Sequence, residues 1–107
     1  MTDTTEKPLF VPLKSQYYYE FKNGTKTREL RRGSDKRWSA KNCRVGRAAT
    51  LSRGYGKQDR LSATVSAHKV WRVRGLSPRD YAAFVDCYGH GEEFANVIEF
   101  ENIRPQS

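Results

Sequence analysis

A dense group of charged side chains lies between Gly24 and Arg31 of this 107-residue chain, on a stretch that otherwise has the pattern of a strand. Lys26 can meet a phosphate as a point charge, and Arg31 offers a planar fork to a phosphate, a base edge or a carboxylate. Strand alternation places Glu29 and Arg31 on one face, where they can pair. Because buried charges need such pairing, the stretch lines a charged cleft, closes a barrel interior, or forms a solvated edge.

A second group of candidate binding residues lies in the glycine-rich loop from Arg53 to Lys57. Tyr55 can stack on a nucleic-acid base, and the flanking cations Arg53 and Lys57 can hold the phosphate backbone. The loop is not a P-loop, because no Gly-Lys-Ser/Thr follows at the required spacing. The alternative is that Tyr55 is an ordinary loop residue.

The positive charge is concentrated in the middle of the chain. The net charge is +8, and the segment from Lys22 to Arg79 holds 17 Lys and Arg against three acidic residues. From Asp80 onward there are six acidic residues and one arginine. Such a field attracts phosphate polyanions, so we expect a nucleic-acid partner. The alternative is a surface that is basic only for solubility.

Composition indicates a cytoplasmic protein with no cofactor. The hydrophobic fraction is 36% and no apolar run reaches membrane-spanning length, so we expect no membrane partner. The first residues have neither the basic nor the apolar part of a secretory signal. Cys43 and Cys87 form no metal-binding spacing with His68 or His90, and we expect two partly buried thiols, with a disulfide left open.

The elements that position the charged stretch can be read from periodicity. Leu9–Leu13 is predicted to be a strand. Ser15 is predicted to cap a helix that continues through Lys22 and is ended by Asn23-Gly24. The alternative is a tyrosine-rich strand that turns at Asn23-Gly24, since Asn-Gly is also a hairpin signal. Residues 25–32 then form the central strand, and Trp38 is expected to cover the core.

The second half of the chain alternates between strand and helix signals. Strands are predicted at 48–52, 60–73 and 94–100, and a helix runs from Pro78, capped by Ser77, to Gly89. These elements predict an α+β fold, a small mixed β-barrel of about five to six strands with two short helices. We predict one domain over residues 9–103, a flexible tail over 1–8 and a short tail over 104–107.

The charged stretch also carries a motif. Gly24, Lys26, Glu29 and Arg31 match Gly-x-Lys-x-x-Glu-x-Arg, and on this motif the chain resembles the ASCH domain family, relatives of the PUA domain. The resemblance extends from Phe10 to about Ile103. It implies a β-barrel with a cleft beside the motif strand. It also implies that the cleft binds RNA or nucleotides, so the expected partner is RNA or another single strand.

The resemblance also raises the question of catalysis. Some relatives are amidohydrolases that act on acylated cytidine, with the motif lysine, a threonine three residues later and a further glutamate; other relatives cleave RNA. Here Lys26 is the candidate catalytic residue, but Glu29 takes the threonine position and no glutamate lies between Leu61 and Leu76. We therefore favour a binding module over a hydrolase. A third alternative is a phage-type inhibitor that binds another protein through its acidic C-terminal third.

Overall fold

One mixed sheet of five strands forms the scaffold of the protein. A computed structural model describes residues 6–106, so most of the predicted N-terminal tail and Ser107 lie outside the described residues. The elements are β1 (Leu9–Leu13), α1 (Ser15–Asn23), β2 (Arg28–Arg32), β3 (Ala48–Arg53), β4 (Arg60–Arg72), α2 (Pro78–Tyr88) and β5 (Phe94–Pro105). Single 3-10 turns occur at Lys36–Trp38 and Val73–Gly75. The predicted α+β class is confirmed.

The sheet has the order β1-β3-β4-β5-β2 and curves into a half-barrel. β1 pairs with β3 in parallel, and the remaining neighbours are antiparallel. β1 and β2 are therefore the two edges, so the strand predicted as central over residues 25–32 is an edge strand that begins at Arg28. A hydrogen bond of 2.5 Å from Arg31 Nη2 on β2 to the Pro12 carbonyl on β1 joins them. The Arg31 side chain of the charged motif thus connects the two edge strands of the sheet.

Helix α1 buries one aromatic face and ends where the sequence predicted. Tyr17, Tyr18 and Phe21 are buried on the sheet, so the helix and not the alternative hairpin precedes the motif. Gly24 ends the helix in the left-handed region at φ 87°, which glycine adopts without a Cβ clash. The predicted cap is wrong: Lys14 occupies the N-cap position and no side chain caps the helix.

Helix α2 begins and ends as predicted. The Ser77 hydroxyl accepts a hydrogen bond from the Asp80 N–H, Pro78 takes the first helical turn and Gly89 follows the last. Its buried face centres on Phe84, which packs with Leu30 of β2. The helix is therefore fixed over the strand that carries the motif. β5 is longer than predicted, because its pairing with β4 continues to Pro105.

The main core fills the inside of the sheet beneath α1. It includes Val11, Phe21, Leu51 and Ile98, and Trp38 covers it with 4% of its surface exposed, as predicted. Cys43 is buried, whereas Cys87 is exposed and not partly buried as expected; both thiols are free.

No helix among residues 6–106 is long and apolar enough to cross a membrane.

Candidate ligand-binding cleft

The motif side chains form one buried charged cluster beneath the helices. Glu29 Oε2 lies 2.8 Å from Arg31 Nη2, and its Oε1 lies 3.9 Å from Lys26 Nζ. The side chains of Lys26, Glu29 and Arg31 are 10%, 10% and 12% exposed. Strand alternation puts Glu29 and Arg31 on one face, and the turn after Gly24 brings Lys26 beside them. The cluster therefore holds one carboxylate between two cations.

The Arg31 guanidinium is almost fully engaged by the protein itself. It pairs with Glu29, donates to the Pro12 carbonyl, and lies 4.4 Å from the centroid of the Trp38 ring. Its Nε is buried and has no hydrogen-bond partner among the described residues. Arg31, predicted to face a ligand, is thus held mainly by internal contacts that close the sheet.

Lys26 differs from Arg31 in its unused donors. Its ammonium lies 5.0 Å from the centroid of Tyr17 and 5.7 Å from that of Phe21. Within residues 6–106, no hydrogen bond from Lys26 Nζ is formed, and the nearest carboxylate oxygen is at 3.9 Å. Lys26 also lines a cavity of about 300 Å³ between α1 and α2 and a neighbouring one of about 210 Å³. The ammonium therefore faces a cleft with three N–H donors available.

Charges of both signs surround this inter-helix cleft. Glu20 pairs with Arg79 at 3.1 Å, Asp80 pairs with Arg28 at 2.7 Å, and both carboxylates line the cavity. The cleft is thus polar and mixed in charge, in contrast to a simple basic groove. A larger cavity of about 510 Å³ adjoins Arg74, Tyr81 and His90 and contains none of the predicted binding residues.

Burial changes the ionisation of two groups in the cleft. Burial raises the pKa of the Glu29 carboxyl above its usual range, against the opposing effects of Arg31 and Lys26. Burial also raises the pKa of the Tyr17 phenol to about 12. That hydroxyl donates to Asp86 Oδ2 at 3.3 Å, an oxygen that Lys14 Nζ also contacts at 3.1 Å. Tyr17 is therefore a neutral donor at physiological pH.

The predicted loop residues lie on a separate surface. Arg53 pairs with Asp59 at 2.6 Å, Tyr55 is 78% exposed, and Lys57 is exposed with no acidic partner in the described chain. The Gly54 N–H bonds to the Leu13 carbonyl, next to the Pro12 carbonyl that receives Arg31. The loop and the motif cluster thus flank the end of β1, and no hydrogen bond or ion pair between described residues joins them directly.

Sequence reasoning missed two residues beside Tyr55. The Phe10 ring lies 5.8 Å from the Tyr55 ring, and the Arg60 guanidinium lies 5.3 Å from the Phe10 ring, measured to centroids. The alternation of β1, with Leu9 and Val11 buried and Phe10 outside, was a signal that could have identified Phe10.

Across residues 6–106, no His, Cys, Asp or Glu residues group in a way that could hold a metal ion.

The arrangement resembles solved structures from one bacterium. The chain superposes on a tyrosine-to-phenylalanine variant of the ASCH protein of Zymomonas mobilis with a TM-score of 0.66 and 17% identity, over 94% of this chain and 73% of that one. For the structure titled simply ASCH from the same organism, the TM-score is 0.64 and the identity 18%, over 90% and 68% of the two chains. The chain has the ASCH fold.

The ASCH fold confirms, at the level of architecture, the resemblance drawn from the motif. No protein-family model matches the chain, and no curated protein sequence matches it. At 17–18% identity the likeness shows the fold alone. The roles of Lys26, Glu29 and Arg31, and those of the loop residues, therefore remain predictions.

Proposed function

We propose that this ASCH-fold protein binds nucleic acid, with RNA as the favoured ligand, and that Lys26 meets the ligand in the inter-helix cleft. The observation that carries the proposal is the Lys26 ammonium. Its side chain is nine-tenths buried, yet its donors make no hydrogen bond within the described residues. Burying a charge without hydrogen bonds is costly, and an anionic or polar ligand group would complete its coordination.

The surface charge supports a polyanionic ligand. Of the carboxylates in residues 6–106, all but Glu101 take part in ion pairs with Lys or Arg. The acids are thus used within the protein, while part of the positive charge has no acidic partner in that range. These cations are Lys7, Lys22, Lys36, Lys41, Lys57, Arg60, Arg74 and Arg104. Phosphates attract such unpaired charge.

Glu29 and Arg31 have supporting roles in this proposal. The Glu29 carboxylate holds the Arg31 guanidinium, and Arg31 fixes the motif strand to β1 through the Pro12 carbonyl. A strand fixed in this way also holds the turn that precedes it, which presents Lys26 in one geometry, so less entropy is lost when a ligand arrives. The cluster keeps a net positive charge when Glu29 is ionised, which favours a phosphate at the cleft.

The test is the affinity for labelled single-stranded RNA, duplex RNA and DNA, measured by fluorescence anisotropy at low salt. We expect Lys26→Ala to weaken binding about 10- to 150-fold, the value of a lost charge-assisted hydrogen bond, with little change in thermal stability. Lys22→Ala is the matched control. It removes an exposed lysine without an acidic partner in the described residues, outside the cleft, so we expect only a few-fold effect.

Two results would contradict the proposal in different ways. Wild-type protein that binds none of the three ligands at low salt would exclude nucleic-acid binding altogether. If Lys26→Ala and Lys22→Ala weakened binding equally, the protein would bind nucleic acid but not through the inter-helix cleft.

A further inference from the structure

The outer face of β1, the loop from Arg53 to Asp59 and the first residue of β4 bring two exposed rings and a guanidinium into one row. Phe10 is 36% and Tyr55 78% exposed, and their centroids are 5.8 Å apart with a 37° angle between the rings. The Arg60 guanidinium lies 5.3 Å from the Phe10 centroid. We call Phe10, Tyr55 and Arg60 the aromatic row.

The loop that carries Tyr55 is held by several hydrogen bonds. The Gly54 N–H bonds to the Leu13 carbonyl at 2.9 Å, and the Arg53 N–H bonds to the Asp59 carbonyl at 3.0 Å. The Gly56 carbonyl accepts from Arg60 Nε at 3.1 Å and from the Ser52 hydroxyl at 3.3 Å. An exposed ring on an anchored loop loses little entropy when another ring stacks on it.

The charges around the aromatic row favour an anion. Arg60 and Lys57 have no carboxylate partner within the described residues, so their charge is available to a phosphate backbone. Exposed rings beside unpaired cations are the combination that proteins use to bind unpaired bases.

We propose that the aromatic row is a stacking platform for the bases of single-stranded nucleic acid. One base stacks on Tyr55 and a neighbouring base lies against the planar guanidinium that Phe10 supports, while Lys57 contacts the backbone. In a duplex the bases already stack on one another, so the platform selects single strands. The platform rests on the proposed nucleic-acid binding, but it lies outside the inter-helix cleft and does not depend on Lys26.

The experiment compares variants by fluorescence anisotropy on a uridine oligomer and a thymidine oligomer of about ten nucleotides, within the usual range of such sites. We expect Tyr55→Ala to weaken binding about 5- to 150-fold on the strand type that the protein prefers. Tyr55→Phe, which keeps the ring, should stay within about twofold of wild type. Tyr81→Ala is the matched control, since Tyr81 is also an exposed tyrosine, on α2.

Two further ligands separate stacking from a contact with the backbone. On an oligomer that has the sugars and phosphates but lacks bases, and on duplex RNA, we expect Tyr55→Ala to bind within about twofold of wild type. If Tyr55→Ala matched wild type on the uridine and thymidine oligomers, the platform would be overturned. An equal loss on the abasic oligomer would also overturn it, since the contact would then be with the backbone.

The same panel distinguishes the platform from the proposed function. Failure of wild-type protein to bind any oligomer would overturn both. Loss of affinity in Lys26→Ala without a loss in Tyr55→Ala would leave the proposed function and overturn the platform alone. The high exposure of Tyr55 makes unfolding of its variants a minor risk, and circular dichroism of each variant verifies the fold.

Discussion

The residue that determines the character of the buried cluster is Glu29. Its carboxylate separates Arg31, at 2.8 Å, from Lys26, at 3.9 Å. Without it, two cations would share a site whose side chains are about nine-tenths buried, and each would lose solvation without compensation. The difference between these two distances determines which cation the carboxylate neutralises more strongly. Arg31 forms the short ion pair with the carboxylate, so the N–H groups of the Lys26 ammonium have no hydrogen-bond acceptor in the described residues.

Glu29→Ala is therefore expected to lower the free energy of unfolding by about 3–5 kcal/mol, the usual cost of removing one partner of a buried ion pair. Urea denaturation measures the change. Glu101→Ala is the control: it removes an exposed carboxylate without an ion pair in residues 6–106, and should change stability by less than about 0.5 kcal/mol. A stability equal to wild type for Glu29→Ala would show that the pair contributes nothing to the fold.

Two tyrosines should make the protein sensitive to alkali. Burial raises the pKa of Tyr17 and of Tyr88 from the ordinary 10.0 to about 12. Above pH 10 the unfolded chain loses phenol protons that the folded chain keeps, so stability is complete below that pH and is lost as the pH rises through about 12. Denaturation at several alkaline pH values should show this loss, and Tyr17→Phe should reduce it. A stability that does not change over this range would contradict the burial of both phenols.

At the scale of elements, the junction between α1 and β2 sets the position of Lys26. Gly24 lies at φ 87°, and a Cβ placed there would meet no atom within 4 Å. The cost of Gly24→Ala is therefore one of backbone conformation, about 1–2 kcal/mol for a left-handed residue. Gly56→Ala is the control, since a Cβ there also meets nothing within 4 Å and the backbone is not at positive φ. Thermal denaturation should show that the first variant is destabilised and the second is not.

The elements could be predicted from the sequence because their signals are local. Ser77 and Pro78 at the start of α2 and Gly24 at the end of α1 act within a few residues, and each was predicted correctly. The partner of Arg31 could not be predicted in this way. Its guanidinium reaches the Pro12 carbonyl, 19 residues away, because the sheet curves until its edges meet. The expected Ser15 cap is absent for a related reason. Packing of the buried aromatic face against the sheet holds α1 in place, and this packing is not visible in the local sequence.

The candidate site was predicted in part for the same reason. Period-2 alternation was sufficient to pair Glu29 with Arg31, and the motif located Lys26. The inter-helix cleft needed α2, whose Asp80 and Asp86 come from more than 50 residues further along the chain. The row formed by Phe10, Tyr55 and Arg60 likewise depends on the pairing of β1 with β3, which no local pattern shows.

At the scale of the whole molecule, we expect no amidohydrolase activity on acylated cytidine. The position that holds a threonine hydroxyl in such relatives is Glu29, and its carboxylate is engaged by Arg31. A hydroxyl is therefore missing where that chemistry uses one. Purified protein incubated with an acetylated cytidine should release no acetate above a buffer control. Release that disappears in Lys26→Ala would contradict this prediction and assign Lys26 a catalytic role.

The most direct test of nucleic-acid binding is the salt dependence of the affinity for single-stranded RNA. If Lys26 and the unpaired surface cations contact phosphates, the logarithm of the association constant should fall linearly with the logarithm of salt concentration, by about 0.7 per contacted phosphate on single strands. The slope for Lys26→Ala should be smaller by about the same amount. Binding that does not change with salt, or no binding at low salt, would contradict the account and favour a protein partner.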